Sequence, residues 1–71
     1  MNESTIGITV NGEACRAAAG TTVTQLLAQM NATGKRVAVE RNGEIVPKSR
    51  HADTVLADAD RFEIVIAVGG G

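Results

Sequence analysis

The chain has a single cysteine, a single proline and a single phenylalanine, and neither tryptophan nor tyrosine. Each shortage closes off a class of protein. One thiol cannot close an internal disulfide, so this is no disulfide-framed secreted scaffold, and a lone cysteine suits a reducing cytoplasm. Cys15 together with the only histidine, His51, supplies too few ligands for a structural zinc site. The scarcity of aromatic rings removes the platforms on which single-stranded nucleic acids stack. A formal net charge of −1, with both signs interspersed, offers no basic stripe to nucleic acid or to an anionic membrane. The longest apolar run, "IVIAV", is far too short to span a bilayer, and the opening "MNESTIG" has neither the basic start nor the apolar stretch of a signal peptide. The expectation is a soluble cytoplasmic domain that binds no metal, nucleic acid or membrane.

What is present is a tight pattern of turns and apolar periods. At 71 residues the chain is near the lower limit for one core, since a domain of this size buries only about 60% of its unfolded surface. With no staple available, packing must hold it together, and the 44% hydrophobic content permits that. Asn11-Gly12 and Asn42-Gly43 each stand between strand-like runs, the strongest short signal for a two-residue hairpin. A turn at Asn11-Gly12 places Val10 opposite Glu13, Ile8 opposite Cys15 and Ile6 opposite Ala17. Side chains alternate along a strand, so Ile6, Ile8, Val10, Cys15 and Ala17 share the face expected to be core.

Between the hairpins, Val23, Leu26, Leu27 and Met30 recur at i, i+3, i+4 and i+7 and make one apolar helical stripe. Thr22 is a suitable N-cap, Gln25 completes a capping box, and Gly34 is the expected stop. After Pro47 the segment "KSRHADTVLADAD" reads as irregular. Val55 and Leu56 are expected to plug the end of the core, His51 to be a solvated loop residue, and "KSR" to be solvated surface, with contact to an acidic partner as the alternative. "RFEIVIAV" then alternates, with Phe62, Ile64, Ile66 and Val68 on one face of a long, central strand. The sum is an α+β domain of β-grasp, or ubiquitin-like, architecture over residues 1–68. A mixed four- to five-stranded sheet packs on one main helix, and a flexible glycine tail follows at 69–71.

The segments "VNGE" (Val10–Glu13), "GTTVTQLL" (Gly20–Leu27), "VAVERNGEIVPKS" (Val37–Ser49), "LADADRFEIV" (Leu56–Val65) and the closing "GGG" together resemble ThiS, the bacterial sulfur carrier family of thiamine biosynthesis. The order and spacing match over nearly the whole chain. The "NGEIVP" hairpin followed by the "DADRFEIV" strand is more particular than the terminal glycines, which all β-grasp carriers share. Ala59 stands where relatives often have glycine, which bears on the tightness of one turn. The resemblance implies that Gly71 carries the reactive carboxylate and that Gly69 and Gly70 lead up to it. A ThiF-like adenylyltransferase would use ATP and magnesium to form an acyl-adenylate there. A cysteine desulfurase would provide the sulfur for a thiocarboxylate, and a ThiG-like thiazole synthase would accept it. The carrier itself would bind no cofactor and would not be an enzyme.

The chemistry accounts for such a tail. A carboxylate is a poor acyl donor until it is coupled to a leaving group, and the groups that do this reside on the partner. Three extended glycines reach about 10 Å past the last strand and crowd a narrow channel with no Cβ. Val65 and Ala67 fall on the side of that strand opposite Phe62 and Ile64, and are expected to help dock the partner enzymes. Cys15 is expected to be a core residue rather than a sulfur relay. Three other functions keep the same fold: the small subunit of a molybdopterin synthase, a ubiquitin-like modifier joined to lysines, or an interaction module with an idle tail.

Overall fold

The computed structural model describes residues 4–67. Strands β1 (Thr5–Val10) and β2 (Glu13–Ala18) form the first hairpin. Both turn residues take positive φ, 52° at Asn11 and 84° at Gly12, the backbone twist that a two-residue loop between right-twisted strands needs. The register is the expected one, with Val10 opposite Glu13, Ile8 opposite Cys15 and Ile6 opposite Ala17. Helix α1 (Val23–Gln29) starts at Thr22 with a full capping box. The Gln25 N–H donates to Thr22 Oγ1 at 3.2 Å, and Gln25 Oε1 accepts from the Thr22 N–H at 3.0 Å. Val23, Leu26 and Leu27 are buried and Met30 is half-buried.

The helix stops earlier than the glycine predicted. The left-handed residue that closes it is Asn31 at φ 60°, three residues ahead of Gly34, which has a positive φ of its own, 81°. The Ala32 N–H donates to the Leu27 carbonyl at 2.8 Å and the Asn31 N–H to the Ala28 carbonyl at 3.1 Å, the paired closure of a Schellman end. Asparagine tolerates that conformation through its short polar side chain. Buried Ala32 then packs back into the core.

The second hairpin, β3 (Val37–Arg41) and β4 (Glu44–Ile45), repeats the turn at Asn42-Gly43 with φ of 52° and 88°. Pro47 leads into one 3₁₀ turn at Lys48–Arg50, whose three residues are exposed as expected of "KSR". Strand β5 (Arg61–Ile66) closes the sheet in the order β2-β1-β5-β3-β4. It lies at the centre, parallel to β1 and antiparallel to β3. The architecture is β-grasp: among the described residues, a mixed five-stranded sheet on one α-helix. Ile8, Val23, Leu26, Leu27, Val39, Leu56, Phe62 and Ile64 fill the space between them.

Three expectations in the core and loops are corrected. Cys15 is exposed. It points to the helix side, sharing a shallow groove with Val10, Leu26 and Met30, but β2 is the sheet's edge. A seven-residue helix, about 10 Å long, does not reach over that edge. His51 is buried, not solvated, with its Nε2 3.0 Å from the Val46 carbonyl. A carbonyl only accepts, so Nε2 carries the hydrogen. The His51 carbonyl in turn accepts the Thr24 N–H at 3.1 Å, tying the irregular segment to the start of α1. Leu56 plugs the core as expected, but Val55 is 49% exposed. The segment is extended there, bridging Thr22 and Val55, and neighbours in extended chain point to opposite sides.

The loop before β5 is tight. Ala59 sits at φ 74°, its N–H donates to the Gly7 carbonyl at 2.7 Å, and Asp58 Oδ1 accepts the Gly7 N–H at 2.8 Å. The left-handed region costs an alanine roughly 1–2 kcal/mol, part of which glycine returns as unfolded-state entropy. Ala59→Gly is therefore expected to raise stability by about 0.5–1 kcal/mol, read as a higher urea midpoint at unchanged m-value.

Candidate functional site

Of the residues that the sequence singles out, Gly69, Gly70 and Gly71 lie outside the described residues. Val65 and Ala67 lie within them, and both are exposed. The site is therefore built here from what leads to the tail: strand β5, its anchors, and the surface around its end.

β5 is held along both flanks. On one side Val37 pairs with Ile66, Ala38 with Val65 and Val39 with Ile64. The ladder continues past the strand, because the Ala67 N–H donates to the Arg36 carbonyl at 2.9 Å. On the other side the parallel pairing with β1 covers only Thr9 with Arg61 and Val10 with Phe62, since β1 turns away at Asn11. The Asn11 side chain takes over from the ladder. Its Oδ1 accepts the Ile64 N–H at 2.8 Å and its Nδ2 donates to the Ile64 carbonyl at 3.0 Å. An amide side chain thus pairs with β5 as a strand residue would.

Asn42 does the same at the start of β5. Its Oδ1 accepts the Arg61 N–H at 2.9 Å, and its backbone N–H donates to the Arg61 carbonyl at 2.7 Å. Its Nδ2 donates to Oδ1 of the buried Asp60 at 3.0 Å. Asp60 Oδ2 accepts the Ala57 N–H at 2.8 Å and lies 2.9 Å from Arg41 Nε. The Arg41 N–H is not aimed at that oxygen, so this contact is a charge pairing rather than an aligned hydrogen bond. A buried carboxylate left without these partners would be strongly destabilising.

The "N-G" steps were legible as turns, but the clamping role of their asparagines was not. The turn alone is served as well by Asp-Gly or Gly-Gly. A residue type compatible with φ > 0 gives no sign of what its side chain meets 18 to 53 positions later in the chain.

The face of the sheet away from α1 is uncovered. Val65 is 65% exposed and Ile45 63% exposed. Ala38 is the cross-strand partner of Val65, and Glu40 is the partner of both Ile45 and Glu63, so these residues share the open face. Apolar Val65, Ala38 and Ile45 are thus interleaved with two carboxylates. At the β5 end the charge changes sign, with Lys35 and Arg36 just before β3. Among the described residues no group of three or more His, Cys, Asp or Glu could hold a metal ion. No helix among them is long and apolar enough to cross a membrane.

Comparison with known proteins gives one consistent direction. The family model described as "ThiS family" matches residues 8–71. The chain is 48% identical over 50 residues to the sulfur carrier protein ThiS of Bacillus subtilis, covering 70% of this chain and 76% of that one. It is 45% identical over 64 residues to a thiazole synthase of Paramagnetospirillum magneticum, covering 90% of this chain but only 20% of the synthase. Among solved structures, the crystal structure of the thiamine biosynthesis protein ThiS from Geobacter metallireducens superposes with a TM-score of 0.77 at 33% identity. That match covers 93% of this chain and all of the other.

The anchoring of β5 is testable without reference to any partner. Asn11→Gly keeps the positive φ and removes only the two side-chain bonds to Ile64. It is expected to cost about 1–2 kcal/mol in chemical denaturation. The Ile64 amide should lose hydrogen-exchange protection, while the Ala38 amide on β3, paired with Val65, changes only by the global stability difference.

Proposed function

The chain belongs to the ThiS family, and from that membership we propose that it is a sulfur carrier of thiamine biosynthesis whose working group is the carboxylate of Gly71. The observation that carries this reading is the placement of β5. The strand that runs into the glycines is the central one. It is bonded on one flank by β3 and on the other by β1 and Asn11. A chain end that has to enter another protein's active site benefits from a stiff emplacement behind it, because less conformational entropy is then lost on binding.

The proposed sequence begins on a ThiF-like adenylyltransferase, which brings ATP and magnesium. A carboxylate oxygen of Gly71 attacks the α-phosphorus of ATP and pyrophosphate leaves. A persulfide sulfur, drawn from cysteine through a desulfurase, then displaces AMP to give an acyl disulfide, and a thiol of the enzyme cleaves its S–S bond, forming a new disulfide and leaving the thiocarboxylate. Sulfur is more polarisable and less tightly hydrated than oxygen, so the thiocarboxylate is the better nucleophile toward a ThiG-like thiazole synthase. This chain contributes no catalytic group to either step. It delivers the atom and is gripped by its body.

The thiazole synthase among the relatives supports the last step. In that protein a stretch similar to this chain makes up a fifth of the polypeptide. Tethering raises the effective concentration of one partner at the other, an arrangement that makes sense if the two act in sequence. Docking is proposed on the open face at Val65 and Ala67. Val65 is a large apolar side chain left mostly in water, and Ala67 marks where the chain departs from the sheet.

Incubation with a sulfur donor, ATP and the cognate adenylating enzyme should exchange one oxygen for sulfur, seen in the intact mass, with the change confined to the C-terminal peptide. Adding one bulky residue after Gly71, in the absence of any trimming protease, should abolish loading; undiminished loading would sink the proposal. Val65→Glu should leave the unfolding free energy within about 0.5 kcal/mol of the parent, as surface substitutions do. It should weaken binding to the adenylating enzyme by about tenfold or more, the order expected for an apolar anchor. Equal affinity would remove Val65 from the docking face.

A further inference from the structure

The end of the sheet from which β5 leaves carries a small cleft of about 180 Å³, with Lys35, Lys48, His51, Thr24, Thr33 and Val37 among its lining residues. Two of these are lysines, and no carboxylate lines it. The ion pair among the described residues is Arg41 with Asp60, so no described carboxylate neutralises Lys35 or Lys48. His51 spends its Nε2 hydrogen on the Val46 carbonyl, which fixes its ring as a wall of the cleft. Lys35 and Lys48 supply positive charge that an incoming group meets.

The location gives this charge its meaning. Val37, on the cleft wall, is the ladder partner of Ile66, and the residue next to Lys35, Arg36, accepts the Ala67 N–H. The cleft therefore borders the last described residues before the tail. The chain as a whole carries a net charge of −1, so the cationic end is a local segregation rather than a general bias. Cationic groups over a partly apolar floor form stronger charge-assisted bonds to an oxyanion than the same groups fully in water.

We propose that this cleft is a contact point for a carboxylate side chain of the enzyme that takes up the tail, with Lys35 and Lys48 as its ligands. The inference rests on the carrier reading above and deepens it by stating the charge of the partner surface around the tail channel. It is separate from the apolar open face: Val65 provides grip on the sheet, whereas the lysine pair steers the enzyme's approach to this end of it. Charges at the rim of an interface act chiefly on the association rate and on its salt dependence.

The test is the double variant Lys35→Gln, Lys48→Gln. Both side chains are exposed, so its thermal midpoint should match the parent. Binding to the adenylating enzyme is expected to weaken about tenfold at low ionic strength, mostly in the association rate. The deficit should shrink toward parity as salt is raised beyond a few tenths molar, and sulfur loading at saturating enzyme should be unchanged. Arg16→Gln, on the far edge strand, removes a charge elsewhere and should stay within twofold of the parent. Equal affinity of parent and double variant, with the parent bound and loaded normally, overturns the cleft proposal and leaves the carrier reading intact. A parent chain that no adenylating enzyme binds or loads overturns both. Inorganic phosphate gives the remaining arm. Saturable shifts of the Gly34 and Lys35 amides at millimolar phosphate, with enzyme affinity unaffected by the two substitutions, would make this a small-anion site and overturn the assignment to a partner carboxylate.

Discussion

The hydrogen bonding of β5 is the constraint on which the rest of the structure depends. It is the last strand among the described residues and the middle strand in the sheet, so within the sheet the two hairpins meet through it. β1 supplies a short parallel ladder and β3 a longer antiparallel one. Where β1 runs out, the Asn11 side chain completes the pairing, and at the other end Asn42 and Asp60 fix the strand's entry. Buried backbone groups that lacked these partners would each cost on the order of 1–3 kcal/mol. A domain with so small a core has little stability to spare.

One helix over five strands leaves the sheet covered on one side only, and the exposure pattern follows from that. The sheet centre over α1 is dry, with Phe62 and Val39 almost wholly buried. The β2 edge and the far face are wet, and there Cys15, Val65 and Ile45 remain in water. An antiparallel or mixed sheet tolerates one solvated face, but apolar side chains as large as Val65 and Ile45 gain nothing from standing in it. On the proposed reading the open face is a handle for other proteins, and the chemistry belongs to the chain end and to the enzymes that hold it.

The electrostatics divide the surface along the same lines. Carboxylates alternate with apolar residues on the open face, at Glu40 and Glu63, while lysines gather where β5 leaves the sheet. The buried Asp60 is the exception to surface placement. It is held by a backbone N–H, an amide side chain and a guanidinium, and its task is to lock the loop that feeds β5. The body thus presents a strand anchored on both flanks, an open face with apolar residues and a cationic rim.

Most of the scaffold could be read in order along the chain, because the signals for it are local. Asn-Gly steps set both hairpins and the register of the first. The Thr22–Gln25 capping box and the i, i+3, i+4 stripe set the helix, and strict alternation from Arg61 onward marks a strand. Tertiary structure decided what depends on distant neighbours. Cys15 lies on the predicted side yet stays wet, because burial depends on how far a helix elsewhere extends. His51 is buried because Val46 offers it a carbonyl, and the helix ends at Asn31 because the chain must turn there to bury Ala32. The asparagine clamps and the paired lysines join residues far apart in sequence. Backbone propensity is written into a few adjacent residues, whereas a side chain's partner exists only once the whole chain has closed around it.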